Sequence, residues 1–281
     1  MQTINGFQIL RKVAESNTAE IFHVMRLIGR GRGNDYAAKT LREEYARDRV
    51  ERHHLETEYR ICSVLNHPNL IHAHELQLSG KRPFLVLDMV QGPSLRQHLE
   101  HGRPPLEAAM GWIARAADGL AYFHEIGFVH RDVKPQNIVV GAGADVRVID
   151  FALAMRQDAS FGNYLMRRMF QRRRPGTWSY MSPEQIRHQR LSGLADMYSL
   201  GVTVFEVATG RPPYTADTPQ GLMEQHLYAS IPSLRSLVPE APHELDELAR
   251  AMMAKDPLDR PTGMQYVSGK LRSIAASLSK A

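Results

Sequence analysis

The stretch that most limits what this 281-residue chain can fold into is His130-Arg131-Asp132-Val133-Lys134-Pro135-Gln136-Asn137, followed thirteen residues after Asn137 by Asp150-Phe151-Ala152. Two apolar runs, Ile138 to Val140 and Val146 to Ile149, flank a turn between them, so a hairpin is expected to return the second carboxylate to the first. A carboxylate at Asp132 can accept a proton from an attacking hydroxyl, while the amide of Asn137 and the carboxylate of Asp150 can hold Mg²⁺ on a nucleotide. That is a phosphoryl-transfer site in outline.

The length fits one large domain or two lobes, and a 43% hydrophobic content can build a substantial core. No stretch approaches the about eighteen uncharged apolar residues of a membrane helix, and the start Met1-Gln2-Thr3-Ile4-Asn5-Gly6 has neither a basic nor an apolar run. Neither secretion nor membrane insertion is expected of the chain as given. The single cysteine, Cys62, excludes an internal disulfide framework and a thiolate metal cluster, which points to a reducing cytoplasm. The net charge of +5 is local: Arg167, Arg168, Arg172, Arg173 and Arg174 share one eight-residue window, and without them the chain would be neutral. That window reads either as a solvated loop or as a docking surface for an acidic partner or a phosphate. A nucleic-acid partner is not expected.

In chain order, Phe7, Ile9 and Val13 alternate with polar residues, as do Ile21, Phe22 and Val24 nearby, which predicts two strands joined by the turn Ala14-Glu15-Ser16-Asn17-Thr18-Ala19. A phosphate-cradling turn usually carries glycine so that backbone N–H groups can approach the oxygens, and this one carries none. Gly29-Arg30-Gly31-Arg32-Gly33 looks more like such a loop, but its place between two strand-like runs predicts a hairpin connection. Lys39 stands alone in the apolar run Tyr36 to Leu41. Leu55, Cys62 and Leu65 then mark one helical stripe on which Glu58 falls; a buried carboxylate wants a cation, and Lys39 is the candidate. Glu56, off the stripe, should be solvated, and Cys62 should be a small core residue. His53, His54, His67, His72 and His74 show no recognisable metal-ligand spacing. Gln91-Gly92-Pro93 ends a buried strand run from Phe84 to Val90 and is the expected lobe boundary. Beyond it lie a long amphipathic helix from Leu106, an apolar helix over 194–208 and a proline-punctuated helical remainder.

Five motifs in register then identify the chain as similar to the eukaryotic-type Ser/Thr protein kinase catalytic domains, over about residues 7–270. They are HRDVKPQN, Asp150-Phe151, Met181-Ser182-Pro183-Glu184, Asp196-Met197-Tyr198-Ser199-Leu200-Gly201 and Asp256-Pro257-Leu258-Asp259-Arg260-Pro261. The resemblance implies an α+β bilobal fold: an N-lobe over 1–90, with a small antiparallel sheet and one main helix, and a larger, mainly helical C-lobe over 91–281. It implies ATP and Mg²⁺ as cofactors and protein Ser/Thr hydroxyls as acceptors. Asp132 would be the base and Lys134 would steady the phosphoryl group, with Asn137 and Asp150 on Mg²⁺. Lys39, fixed by Glu58, would hold the α- and β-phosphates. Adenine would lie between Val13, Ile21 and Ala37 above and Val139 below, against hinge backbone at Asp88 and Val90, with Leu87 as gatekeeper. Glu184 with Arg260, and Asp196, would be scaffold. Lys134, two residues after Asp132, and Gly176-Thr177 ahead of the docking segment resemble the Ser/Thr class. The phrase GTWSYMSPEQ resembles bacterial members; many of those carry a transmembrane helix, so this chain is expected to be a soluble form or an excised catalytic domain.

Two departures matter. The family's loop glycines are Ala14, Ser16 and Ala19 here, and the glycine after Asp150-Phe151 is Ala152. The expectation is an active kinase with weakened nucleotide affinity, regulated by autophosphorylation at Ser160 or Thr177. The alternatives are a pseudokinase acting as a nucleotide-binding or scaffolding module and, last, a small-molecule phosphotransferase.

Overall fold

The computed structural model describes residues 3–28, 31–157 and 177–280. They divide into two units. One comprises the chain up to Asn66 together with Leu70–Gln91 and Asp150–Leu153; the other comprises His67–Asn69, Gly92–Ile149 and the chain from Ala154 onward.

The first unit holds strands β1 (Thr3–Ile4), β2 (Phe7–Glu15), β3 (Ala19–Ile28) and β4 (Gly31–Leu41), helix α1 (Arg49–Cys62), and strands β5 (Ala73–Gln77) and β6 (Phe84–Asp88). The six strands form one antiparallel sheet in the order β1-β2-β3-β4-β6-β5. Its core is Phe7, Val24, Ala38, Phe84 and Val86, with Ile4, Ile9, Phe22 and Tyr36 packed against them. β2 departs from simple alternation. Register shifts between Ile9 and Arg11 and between Lys12 and Ala14 each leave one residue outside the ladder, and Leu10 and Val13 are accordingly exposed. β4 runs further back than its apolar stretch, through Gly31 and Gly33, because Gly33 lets the backbone carbonyl of Arg26 approach where a Cβ would collide. β3 and β4 are joined as a hairpin, Ile28 opposite Gly31.

Helix α1 starts at Asp48, whose carboxylate accepts the N–H groups of Val50 (2.8 Å) and Glu51 (3.3 Å). It buries Val50, Leu55, Glu58, Ile61 and Cys62 and leaves Glu56 exposed. It ends at Cys62, so Leu65, also buried, belongs to the segment after the helix rather than to its stripe.

In the second unit, α2 (Leu95–Glu100) is followed by α3 (Leu106–Glu125), β7 (Phe128–Val129), the hairpin β8 (Ile138–Val140) and β9 (Val146–Val148), and β10 (Met155–Arg156), which pairs with β7. Then come α4 (Pro183–Ile186), α5 (Gly193–Thr209), α6 (Pro219–Tyr228), α7 (His243–Met252) and α8 (Met264–Leu278). Helix α5 is buried nearly all round, as its sequence predicts, and stops at Gly210, whose φ of 83° only glycine adopts without strain. α8 packs on α3, where Ser268 Oγ donates to the Ala114 carbonyl (3.0 Å) and to Asp118 (2.5 Å). Gly92 lies so close to the Val140 carbonyl that a Cβ would collide with it, which seats the chain entering α2 on the β8–β9 hairpin.

His226 on α6 is fully buried against Tyr198, whose hydroxyl lies 2.9 Å from its Nδ1. Burial, with Lys255 adding to it, lowers its pKa from 6.5 to about 3. Between those values the unfolded chain binds a proton that the native chain refuses, so stability falls as the pH drops through that window. The expected slope is up to about 1.4 kcal/mol per pH unit. Urea midpoints at pH 5 and pH 7 check it: His226→Gln should flatten the dependence, and an unchanged slope would place its origin elsewhere.

Candidate active site

Within the first unit, Lys39 on β4 pairs with Ile21 of β3 on one side and Leu85 of β6 on the other, which anchors its backbone at the sheet centre. Its Nζ lies 2.7 Å from Glu58 Oε2 on α1 and 2.9 Å from Asp150 Oδ1. Burial alone would lower the Lys39 pKa, but the carboxylates of Asp150 and Glu58 outweigh it and hold the ammonium above its usual range. Burial pushes the Glu58 carboxyl up against the pull of Lys39, and the Phe151 backbone N–H helps hold its charged form. Asp150 has a φ of 66°, a left-handed conformation that a non-glycine residue keeps only where its surroundings over-determine it. Phe151, fully buried, anchors the next position. Cys62, one turn past Glu58, is buried, and its thiol pKa is raised by burial first and then by Glu58; it is a core residue.

The expected nucleotide-base contacts of this unit fall as follows. Ala37 faces Leu87 and His23 in the sheet, Ile21 faces Ala14 and Lys39, and Leu87 is buried. Val13 sits at a bulge, 41% exposed. β6 ends at Asp88, whose N–H donates to the His72 carbonyl (3.0 Å) and whose carboxylate lies 2.7 Å from His74 Nε2; Val90, two residues on, is half-buried. Among the described residues no three His, Cys, Asp or Glu side chains gather as a metal cluster.

Within the second unit, the loop from His130 to Asn137 is built around Asp196 at the start of α5. The two Asp196 oxygens accept the N–H groups of His130 and Arg131, each at 2.7 Å, and His124 Nε2 lies 2.8 Å from one of them. Burial would raise this carboxyl, but the bonds and charge of His124, with His130, keep it below the usual carboxylate range. Arg131 has a φ of 71°, and Gln185 Nε2 holds its carbonyl at 3.0 Å. Asp132 Oδ2 then receives Lys134 Nζ at 2.7 Å and Asn137 Nδ2 at 3.0 Å. The Asn137 amide nitrogen donates to the Asp132 backbone carbonyl and carboxylate, which leaves its amide oxygen pointing away from Asp132. Val139 is half-buried opposite Arg147 in the hairpin.

The segment expected to dock substrate enters as a 3-10 turn, Thr177–Tyr180, followed by α4 with a Ser182–Gln185 capping box. Ser160, the Arg167–Arg174 cluster and the Thr177 side chain lie outside the described residues. Glu184 and Arg260 meet in a buried two-pronged pair, Nη1 to Oε1 at 2.7 Å and Nη2 to Oε2 at 2.9 Å.

Several residues have no signal in the sequence. Arg96 of α2 donates to both the Tyr180 hydroxyl and Glu206, each at 2.7 Å, and Tyr180 also bonds to Glu206. His124, at the end of the helix just before the loop, and Gln185, more than fifty residues further on, both brace it. Only the helical stripe carrying His124 toward His130 could have drawn attention to one of them.

A protein kinase domain model matches residues 12–271. The chain belongs to the protein kinase family. This kinase is 33% identical to the serine/threonine-protein kinase PknL of Mycobacterium tuberculosis over 247 residues, which cover 86% of this chain and 59% of PknL. It is 35% identical to PknB of the same species over 237 residues, covering 80% of this chain and 36% of PknB. PrkC of Bacillus subtilis is 28% identical over 256 residues, 90% of this chain and 38% of PrkC. The kinase therefore spans three-fifths or less of the curated relatives it matches. A double-mutant kinase domain of Mycobacterium tuberculosis PknI shares its fold at a TM-score of 0.71 and 23% identity, covering 98% of this chain and 97% of that one. The bilobal fold class is thus the right one: an antiparallel sheet with one main helix in one unit, and a mainly helical second unit. Among its described residues, no helix is long and apolar enough to cross a membrane.

Proposed function

We propose that this kinase transfers the γ-phosphoryl group of ATP, with Mg²⁺, to Ser and Thr hydroxyls of proteins, itself included. The observation that carries the reading is the Lys39 ammonium held at 2.7 Å from Glu58 and 2.9 Å from Asp150, a fixed cation of the kind that grips phosphate oxygens. The donor chemistry also fits: the amide oxygen of Asn137 and the carboxylate of Asp150 are hard oxygen ligands suited to Mg²⁺. Bound ATP and Mg²⁺ supply the phosphoryl group and the charge that neutralises it. Lys39 binds the α- and β-phosphates, and Asn137 and Asp150 hold the metal. Asp132 takes the hydroxyl proton, and Lys134, already 2.7 Å from Asp132, steadies the transferred group. Val13, Ile21, Ala37 and Val139 line the adenine, and the backbone at Asp88 and Val90 bonds to it, beside the gatekeeper Leu87. Thr177 contributes to selection of Ser/Thr acceptors, and the Arg167–Arg174 cluster offers a docking charge to acidic protein surfaces.

In this reading residues 1–90 and 91–281 are the two lobes of one kinase domain, working in the cytoplasm. A purely scaffolding role has no support: Lys39, Glu58, Asp132, Lys134, Asn137 and Asp150 are all retained, and the similar proteins are named kinases. Incubation with labelled ATP and Mg²⁺, alone and with a generic basic protein, should give transfer well above an Asp132→Asn control. Transfer equal to that control would overturn the reading. Mass spectrometry of the same samples should find phosphate on Ser160 or Thr177; phosphate confined to other residues would remove both as regulatory sites.

A further inference from the structure

The turn joining β2 to β3 has no glycine, yet it is tied down on every side. Inside it, the Ser16 N–H donates to the Ala19 carbonyl (2.7 Å) and the Ala19 N–H to Ser16 Oγ (3.1 Å). From the end of β4 a single residue reaches it three times. The Arg42 N–H donates to the Thr18 carbonyl at 2.9 Å, Arg42 Nε to the Ser16 carbonyl at 3.0 Å, and Arg42 Nη2 to Glu15 at 2.9 Å. Glu15 also accepts Lys12 at 2.7 Å; Lys12 reaches Glu20 at 3.4 Å, and Glu20 takes Arg82 at 2.5 Å. The hydrogen bond and charge of Lys12, and then Arg42, hold the Glu15 carboxyl below its usual range.

Each of these pairs keeps some exposure to solvent and is by itself worth little. The convergence matters more. A planar guanidinium spanning a backbone carbonyl and a carboxylate fixes both directions at once, which an ammonium cannot do. The register gives the fixed turn its importance: Ile21 pairs with both Ala14 and Lys39, and Ala19 pairs with Leu41, so the turn begins two residues beyond the rung that carries Lys39.

We propose that Arg42 is a positioning residue for the triphosphate: its fork holds the glycine-free turn in one conformation beside the Lys39 rung, so the turn is ordered before the nucleotide arrives. The proposal rests on the reading of Lys39 as the phosphate-gripping cation. A glycine turn gains close approach but must be ordered on binding; a stapled turn gives up some approach and avoids that ordering entropy.

The test uses the full chain and two probes, ATP and adenosine. Arg42→Ala should raise Kd and KM for ATP about 5- to 10-fold while leaving kcat and the adenosine Kd within about twofold, and should speed hydrogen exchange at residues 16–19. Arg42→Lys should fall between wild type and Arg42→Ala. Glu15→Gln, at an exposed position that the fold does not depend on, should shift ATP the same way by less. Unchanged ATP affinity and exchange in both Arg42→Ala and Glu15→Gln would overturn the proposal, as would ATP and adenosine weakening together, which marks a general structural role. Failure of the wild type to bind ATP at all would overturn the nucleotide reading itself, and this proposal with it.

Discussion

Asp132→Asn should reduce phosphoryl transfer by roughly 10²- to 10⁴-fold, the usual contribution of a positioned general base, while leaving ATP affinity within about twofold. The asymmetry follows from what surrounds the side chain. Asp132 Oδ2 accepts hydrogen bonds from both Lys134 and Asn137, and the one oxygen of an asparagine amide can keep accepting them. What disappears is the ability to remove a proton from an acceptor hydroxyl, and with it the charge opposite Lys134. The loop itself should stand, because its anchor is Asp196, which grips the His130 and Arg131 backbone without involving Asp132. Steady-state kinetics with a thermal melt of the same preparation checks this. Transfer falling together with the melting temperature would mean that Asp132 supports the loop rather than the chemistry.

Arg260→Ala should destabilise the kinase by about 3–5 kcal/mol, the loss expected when one partner of a buried ion pair is removed. Arg260 and Glu184 are both buried, and Arg260 also donates to the carbonyls of Ala254 (2.8 Å) and Leu194 (2.7 Å), so its removal leaves a buried charge unpaired and takes away those two bonds as well. The unpaired Glu184 lies on α4, directly after the 3-10 turn Thr177–Tyr180. The Glu184→Met, Arg260→Leu double variant should recover much of the loss, since well-packed apolar replacements of buried pairs are often neutral or better. Denaturant unfolding of both variants decides it. A loss below about 1 kcal/mol in Arg260→Ala would mean that solvent reaches Glu184 once the guanidinium is gone.

How far the sequence reached depended on the range of the interactions involved. The helices over 106–125 and 193–209 were legible because an apolar period is a local property, and Lys39 with Glu58 was legible because one charge fell on an apolar stripe. The bulges in β2 were not: alternation of Phe7, Ile9 and Val13 continues through them, and only the partner strand shows that residues 10 and 13 have dropped out of the ladder. Of the hairpin expected over 29–33, residues 29 and 30 lie outside the described residues; β3 and β4 pair antiparallel up to Ile28 opposite Gly31, and β4 reaches back through Gly33 because the Arg26 carbonyl takes the space a side chain would fill. Arg96, Arg42 and Gln185 stayed hidden because a charged or polar residue on a surface period carries no mark of the distant carbonyl or carboxylate it will meet. The absence of glycine from 14–19 was visible at once; the staples that accompany it were not.

To its solvent, the folded chain is a protein without a thiol. Cys62 is its single cysteine, and it lies buried with its proton held firmly in place. A sulfhydryl reagent therefore has one way in, through transient opening of the first unit around α1. The pace of labelling becomes a stopwatch on that opening, started by the reagent and read without any engineered probe.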